Sequence, residues 1–320
     1  MHELAANPVL AEVVRSGFIE SRHRGAVAAL AADGTFAFTA GNANTPIFPR
    51  SSNKPLQAAA MLRAGLPLEG ELLALAAASH SGEDFHVKGV RDILDFAGLT
   101  ERDLRCPPSL PIDELTARRL IRESDNPDSR VRMNCSGKHA AMLATCIAND
   151  WPTETYLDPE HPLQRHIKAA IEELANEPVL VTGVDGCGAP LFALTLAGLS
   201  RAFRALVLAE PGTPERKVAD AMRKFPEWTS GTSRDERKLM ASVPGLLLKA
   251  GAEGVDSFAL ADGSAAALKI DDGNQRARTP VTVAILRALG AQPPAELATG
   301  EVFGGGNPVG EIRTAAFMSS

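Results

Sequence analysis

The sequence predicts an α+β fold in which an antiparallel sheet built from both chain ends is flanked by helices, with a helical middle lobe over roughly 65–210. Three observations predict it. A hairpin signal stands near the start, segments of helical periodicity fill the middle, and strand-like segments joined by tight turns follow from Leu246. Strands at the two ends with helices between them suggest one sheet that is discontinuous in sequence.

The elements follow in order. Ala26 to Ala32 is an apolar run, Asp33-Gly34 is a dipeptide that favours a two-residue hairpin, and Thr35 to Ala40 alternates Phe36 and Phe38 with small residues. After Pro46 and Pro49, Ser51-Ser52-Asn53-Lys54-Pro55 opens a helix with a serine start and a proline in its first turn. Helical patterns then recur over 68–78, 87–98, 113–124, 137–149 and 161–176. A short β-like run over 179–182 leads to the glycine-rich Gly183-Val184-Asp185-Gly186-Cys187-Gly188, and 191–208 reads as helix. Strands are expected at 246–249, 255–261 and 265–270, a helix over 279–290, and a loop without a packing signal at Gly304 to Pro308. No repeat, low-complexity segment or linker interrupts the chain, so 1–320 reads as a single catalytic domain.

Composition narrows the function classes. With 320 residues, 45% hydrophobic and 22% charged, the chain can bury a sizeable core and is neither disordered nor fibrous. Its 33 Lys+Arg against 39 Asp+Glu give a net charge of −6, and no large basic block marks a nucleic-acid face. Met1-His2-Glu3-Leu4 carries neither a basic n-region nor an apolar h-region, and no apolar stretch approaches the ~18 residues of a membrane span. A cytoplasmic location with no membrane partner is expected. The four cysteines, Cys106, Cys135, Cys146 and Cys187, are too few and scattered for a disulfide framework, which leaves reduced thiols or a metal site.

The chemistry gathers in a few stretches. In Ser51-x-x-Lys54 at a helix start, a three-residue spacing places Oγ and Nζ on one face, where a desolvated neutral lysine can take the serine proton. Alone the pattern is weak. Hydrolases of this type often add a second serine element and a Lys-x-Gly on a strand. Lys249-Ala250-Gly251 supplies the latter, with charge from Lys249 and small residues that let a substrate approach the strand edge. Two stretches compete for the middle element. Ser79-His80-Ser81-Gly82-Glu83 is a polar cluster after a helix, and Ser124-Asp125-Asn126 before Pro127 also reads as a helix-ending turn. Cys135-x-x-Lys138-His139 and the distant Cys187 would suit zinc if the thiolates met, and otherwise read as small buried hydrophobes. The glycine run at 183–188 follows a strand, but its spacing is not a dinucleotide fingerprint and Pro190 falls where the helix should begin.

Taken together, these stretches resemble the asparaginase II family of L-asparaginases, which have a serine-β-lactamase-like fold. The resemblance rests on an ordered set: Glu20-Ser21-Arg22-His23-Arg24-Gly25, Arg50-Ser51-x-x-Lys54-Pro55, Ser79 to Glu83, Asn134-Cys135-Ser136-Gly137-Lys138-His139, Gly183-x-Asp185-Gly186-Cys187, Lys249-Ala250-Gly251-Ala252 and Leu268 to Gly273. It departs from typical members at Gly231 to Arg237, where the flanks of Arg234 are more charged. The resemblance implies two Ser-Lys tandems, Ser51 with Lys54 and Ser79 with Lys249, and so favours Ser79 over Ser124. It also implies a zinc site of Cys135, Lys138 and Cys187 near the substrate pocket, and a homodimer. The implied reaction is hydrolysis of the side-chain amide of L-asparagine: Ser51 attacks, neutral Lys54 takes its proton, and Ser79 and Lys249 relay the proton and supply charge. Counter-charges for the substrate would be Asp185 for the α-ammonium and Arg50 or His139 for the α-carboxylate. Glutamine differs by one methylene, worth only ~1–3 kcal/mol of discrimination, so the motifs leave the preferred amide open. The alternatives are another Ser-x-x-Lys acyl hydrolase acting on β-lactams, D-Ala peptides or esters, or a metal- or ligand-binding protein whose serines merely cap helices.

Overall fold

The structure is a computed structural model and describes residues 6–317; the Met1–Leu4 opening read above for a targeting signal lies outside them. Strand β1 (Val9–Arg15) pairs antiparallel with the long β2 (Phe18–Leu30), and β3 (Phe36–Ala40) folds back on β2. The helices α1 (Lys54–Arg63), α2 (Gly70–Ala76), α3 (Asp84–Phe96), α4 (Glu114–Glu123), α5 (Ser136–Ala148) and α6 (Pro162–Ala175) follow. A small hairpin of β4 (Thr182–Val184) and β5 (Pro190–Phe192) precedes α7 (Leu196–Leu208), α8 (Pro214–Lys224), the single turn α9 (Pro226–Thr229) and α10 (Asp235–Ser242). Strands β6 (Leu247–Gly251), β7 (Val255–Ala259) and β8 (Ala265–Ile270), helix α11 (Arg278–Ala288), and strands β9 (Gly300–Gly304) and β10 (Asn307–Thr314) complete the chain.

The strands form one antiparallel sheet in the order β6-β7-β8-β2-β1-β10-β9, with β3 also on β2, so both chain ends contribute as the hydrophobic pattern predicts. Alternation of side chains across the pleat divides the interior in two. Ala26 and Ala28 of β2 join Leu247 and the helical stretch on one face, while Val27 and Ala29 join Leu248, Leu268 and Val281 of α11 on the other. This double cover explains why 25–30 of β2 is buried without interruption, as a central strand must be. Each leucine so buried contributes ~1.5–3 kcal/mol relative to exposure.

The helices obey the same logic. In α3 the buried Val87, Val90, Ile93 and Leu94 recur at helical spacing, and α6 is capped by the His161 side chain and closed by Asn176 in the left-handed region at φ 50°. Helix α7 lies against the sheet at β2, β7 and β8. Among the described residues, no helix is long and apolar enough to cross a membrane.

Three expectations are corrected. The tail is a hairpin, not a loop without packing: Gly305 and Gly306 turn at φ 58° and 81°, and Val302 and Ile312 pack on Val13. The sheet begins earlier than the apolar run at Ala26, with β1 and the first half of β2. Helices α8 and α10 fill a stretch to which no element was assigned; in α8 Thr213 accepts a hydrogen bond from the Arg216 N–H and Pro214 takes the first turn.

Candidate active site

Lys249 lies on β6, a strand buried along its whole length. Beside it runs a 3-10 turn, Arg50–Asn53, that feeds α1, so Lys54 begins the α-helix and Ser51 sits in the turn before it. The Ser52 Oγ donates to the Lys249 carbonyl at 3.0 Å and fixes turn against strand. Arg50 adopts φ 51°, a strained left-handed conformation for a residue with a side chain. Ser79 comes from the loop after α2; its N–H donates to the Thr229 carbonyl, and the neighbouring His80 N–H donates to the Asn134 carbonyl.

Two amines converge on one hydroxyl. Lys54 Nζ lies 3.0 Å and Lys249 Nζ 2.9 Å from Ser79 Oγ, all three groups being buried. Lys54 Nζ also donates to the Ala78 carbonyl at 2.6 Å and to Cys135 Sγ at 3.1 Å, the three-donor pattern of an ammonium. Lys249 Nζ has one further partner, its neighbour's carbonyl at Ala250, 2.8 Å away. Burial first, and then the Lys54 charge, hold the Lys249 amine well below the usual lysine range. Of the two amines at Ser79, Lys249 is therefore the one whose environment favours loss of its proton.

Ser51 differs from its expected geometry. Its hydroxyl makes no hydrogen bond with the described residues, because Lys54 is engaged by Ser79, Ala78 and Cys135 instead. Ser51 and Ser79 nevertheless line the same cavity of about 280 Å³, with Ile112, Asn134, Arg234 and Gln275 among the other walls. Ser124-Asp125-Asn126 is an exposed turn in which Ser124 Oγ accepts the Asn126 N–H. A larger groove of about 730 Å³, between Glu69, Leu72, Lys217 and Phe225, contains no such pairing.

The cysteine cluster adjoins the lysines. Cys135 Sγ donates to Asn134 Oδ1 at 2.9 Å. The neighbouring Cys135 thiol and then the Lys138 ammonium hold Cys187 far down toward thiolate against its burial, and Cys135 is pushed up by Cys187 and by burial. Lys138 Nζ lies 3.2 Å from Cys187 Sγ. Burial pulls the Lys138 amine down, but the Cys187 thiolate outweighs it and the shift is upward. His139 bonds Tyr156 Oη through Nδ1 at 2.7 Å and leaves its buried Nε2 without a partner. Among the described residues no three His, Cys, Asp or Glu side chains are arranged to hold a metal ion. Two sulfurs and the Lys138 amine lie together beside an imidazole nitrogen without a partner; the amine would have to shed the proton that the Cys187 thiolate stabilises before it could join them round a soft divalent cation.

The nominated counter-charges sit elsewhere. Arg50 Nε pairs with Asp185 Oδ1 at 2.8 Å, and Arg50 Nη1 lies 3.7 Å from Glu253. Arg50 and Asp185 thus satisfy each other, and neither they nor His139 line the cavity with the two serines. Two residues that do line it were not nominated as site residues: Arg234 lies in the stretch noted only as a departure from typical family members, and Arg278 lies in none of the motifs.

A serine between two buried lysines at the floor of a small cavity defines a centre suited to nucleophilic acyl transfer. The model of the L-asparaginase II family matches residues 11–314, and the chain belongs to that family. No curated protein matches the chain. Among solved structures it is similar to a beta-lactamase from Mycobacterium bovis at 12% identity and TM-score 0.42, covering 83% of this chain and 94% of that one. It is also similar to Mglu in its native form at 15% identity and TM-score 0.38, covering 82% of this chain but 60% of Mglu, so it spans well under two thirds of that protein. A Bacillus glutaminase matches at 15% identity and TM-score 0.34, over 78% of this chain and 84% of its own.

Proposed function

We propose that the chain hydrolyses the side-chain amide of L-asparagine to aspartate and ammonia by Ser-Lys nucleophilic catalysis. The observation that carries this reading is Ser79 Oγ between Lys54 Nζ and Lys249 Nζ, at 3.0 and 2.9 Å, in the cavity that Ser51 also lines. Membership of the L-asparaginase II family supports the substrate class.

The free Ser51 hydroxyl attacks the amide carbonyl and passes its proton to Ser79, whose own proton moves to the neutral Lys249 amine. The Lys249 ammonium then protonates the departing nitrogen, ammonia leaves, and Ser51 carries an ester. Water attacks that ester, its proton returns through the same pair, and aspartate and free Ser51 result. Lys54 stays charged throughout, holding Ser79 in place and favouring the negative charge that develops on the carbonyl oxygen. This exchanges the roles first assigned to the two lysines, because Lys54 has three acceptors and Lys249 two.

Zinc belongs to the same proposal. Cys135, Lys138 and Cys187 would hold it, and when bound it would supply positive charge beside Lys54. A homodimer, as the family resemblance implies, and a cytoplasmic location belong to the same proposal.

Ammonia release from L-asparagine and L-glutamine, by wild type and Ser51→Ala, tests the reading. Release with asparagine that vanishes in the variant is expected. Release from neither amide, with turnover of a β-lactam or an ester, would overturn it in favour of another Ser-Lys acyl hydrolase.

A further inference from the structure

The walls of the serine cavity include two arginines, Arg234 and Arg278, two amides, Asn134 and Gln275, and no carboxylate. Buried Arg278 is held from three sides: Nη1 donates to the Gly251 carbonyl at 3.1 Å, Nη2 to Glu236 at 3.0 Å, and Nε forms an ion pair with Asp256 at 3.0 Å without hydrogen-bond geometry. Arg234 is not. Its Nε and Nη2 grip Glu236 at 3.2 and 2.9 Å, while its Nη1 has no partner among the described residues. Its side chain keeps 23% of its exposure, whereas that of Glu236 keeps 7%.

The loop that carries Arg234 is also fixed to the loop that carries Ser79. Glu83 accepts both the Thr232 N–H at 3.0 Å and the Thr232 hydroxyl at 2.8 Å. Gly231, at φ 142°, lies so close to Ser81 that a Cβ there would collide with its hydroxyl. Arg234 therefore lines the cavity of the two serines from a fixed loop, on a side chain already oriented by a buried carboxylate and with one guanidinium nitrogen uncommitted. A planar, permanently charged donor held this way is the group that recognises a carboxylate. Arg50, the other candidate for that role, is already paired with Asp185.

We propose that Arg234 holds a carboxylate of the substrate, and that the amides hydrolysed here are those that carry an acid group. The reaction named in this inference rests on the function proposed above, but the binding role does not, and the test separates them. L-Aspartate, which carries the carboxylates and needs no turnover, is titrated calorimetrically into wild type, Arg234→Gln and Arg234→Lys. A charge-assisted hydrogen bond of this kind predicts a Kd raised roughly 10- to 100-fold in Arg234→Gln, with Arg234→Lys in between. Kinetics on L-asparagine should show KM rising by a similar factor with kcat changed far less, whereas ammonia release from β-alaninamide, which lacks the carboxylate, should be the same in all three proteins. Equal L-aspartate affinity in wild type and Arg234→Gln, no L-aspartate binding by wild type, or an equal loss on both amides would each overturn the proposal. Arg234-dependent L-aspartate binding without ammonia release would support the carboxylate site and sink the amidase reading. Glu236 keeps Arg278 as a partner in the variants, so the pocket retains a charge to balance it.

Discussion

Lys249 sits where its own charge is disfavoured. Taking an amine out of water beside the Lys54 charge costs stability, and this cost is what leaves it neutral and able to accept a proton. Lys249→Met, nearly isosteric and apolar, should raise stability by ~1–3 kcal/mol in a urea titration while lowering ammonia release more than ~100-fold. Lower stability would mean that Ser79 and the Ala250 carbonyl had depended on the amine. The serines and lysines were legible from their motifs, but the contacts between them were not. The i, i+3 argument assumes one continuous α-helix, whereas the chain enters through a 3-10 turn and the helix begins at Lys54 itself. Which acceptors Lys54 reaches is settled by Ala78, Ser79 and Cys135, and no local pattern encodes their positions.

At the scale of elements, the glycine of Lys249-Ala250-Gly251 has a use beyond the one its motif suggested. The space a Cβ would take at Gly251 is filled by the Pro49 carbonyl at 2.6 Å and by Ser52 Oγ at 2.9 Å, so the missing side chain lets the serine-bearing turn lie on β6, while Ala250 and Gly251 also line the serine cavity. Gly251→Ala should therefore displace that turn. Activity should fall about tenfold or more, with a stability loss of about 1–3 kcal/mol from overpacking. A near-normal kcat with the fold intact would show that the turn has freedom to move. Elements with strong periodicity, such as α3, α5 and α6, were readable to within a few residues. The β9–β10 hairpin and β1 were not: β9 and β10 bury few side chains, and β1 pairs with β10 from the opposite chain end.

For the whole molecule, the hairpin signal near the start and the strand-like segments from Leu246 announced the sheet, but only the structure shows cores on both faces, a division that residue type alone does not reveal. The helical side carries an acid-sensitive stack. His80 and His86 lie with ring centroids 5.1 Å apart, and burial holds His80 well below the usual histidine range and pushes His86 down to about 4 from 6.5. The unfolded chain gains protons below 6.5 that the folded chain refuses until about 4, so stability complete above 6.5 is lost as pH falls through that window. His86→Gln should remove up to ~1.4 kcal/mol per pH unit of that slope in denaturant titrations between the two values. An unchanged slope would place the acid sensitivity in other groups.

The groups that meet at Ser79 come from the start of α1, a loop after α2 and strand β6, and the Ser79 and Lys249 partners are 170 residues apart in the chain. Long-range contacts of this kind close late in folding. A nascent or truncated chain that has not yet delivered β6 holds its serines in front of no neutral amine. Chemical competence therefore arrives with the completed sheet, and an unfinished molecule is inert toward amides.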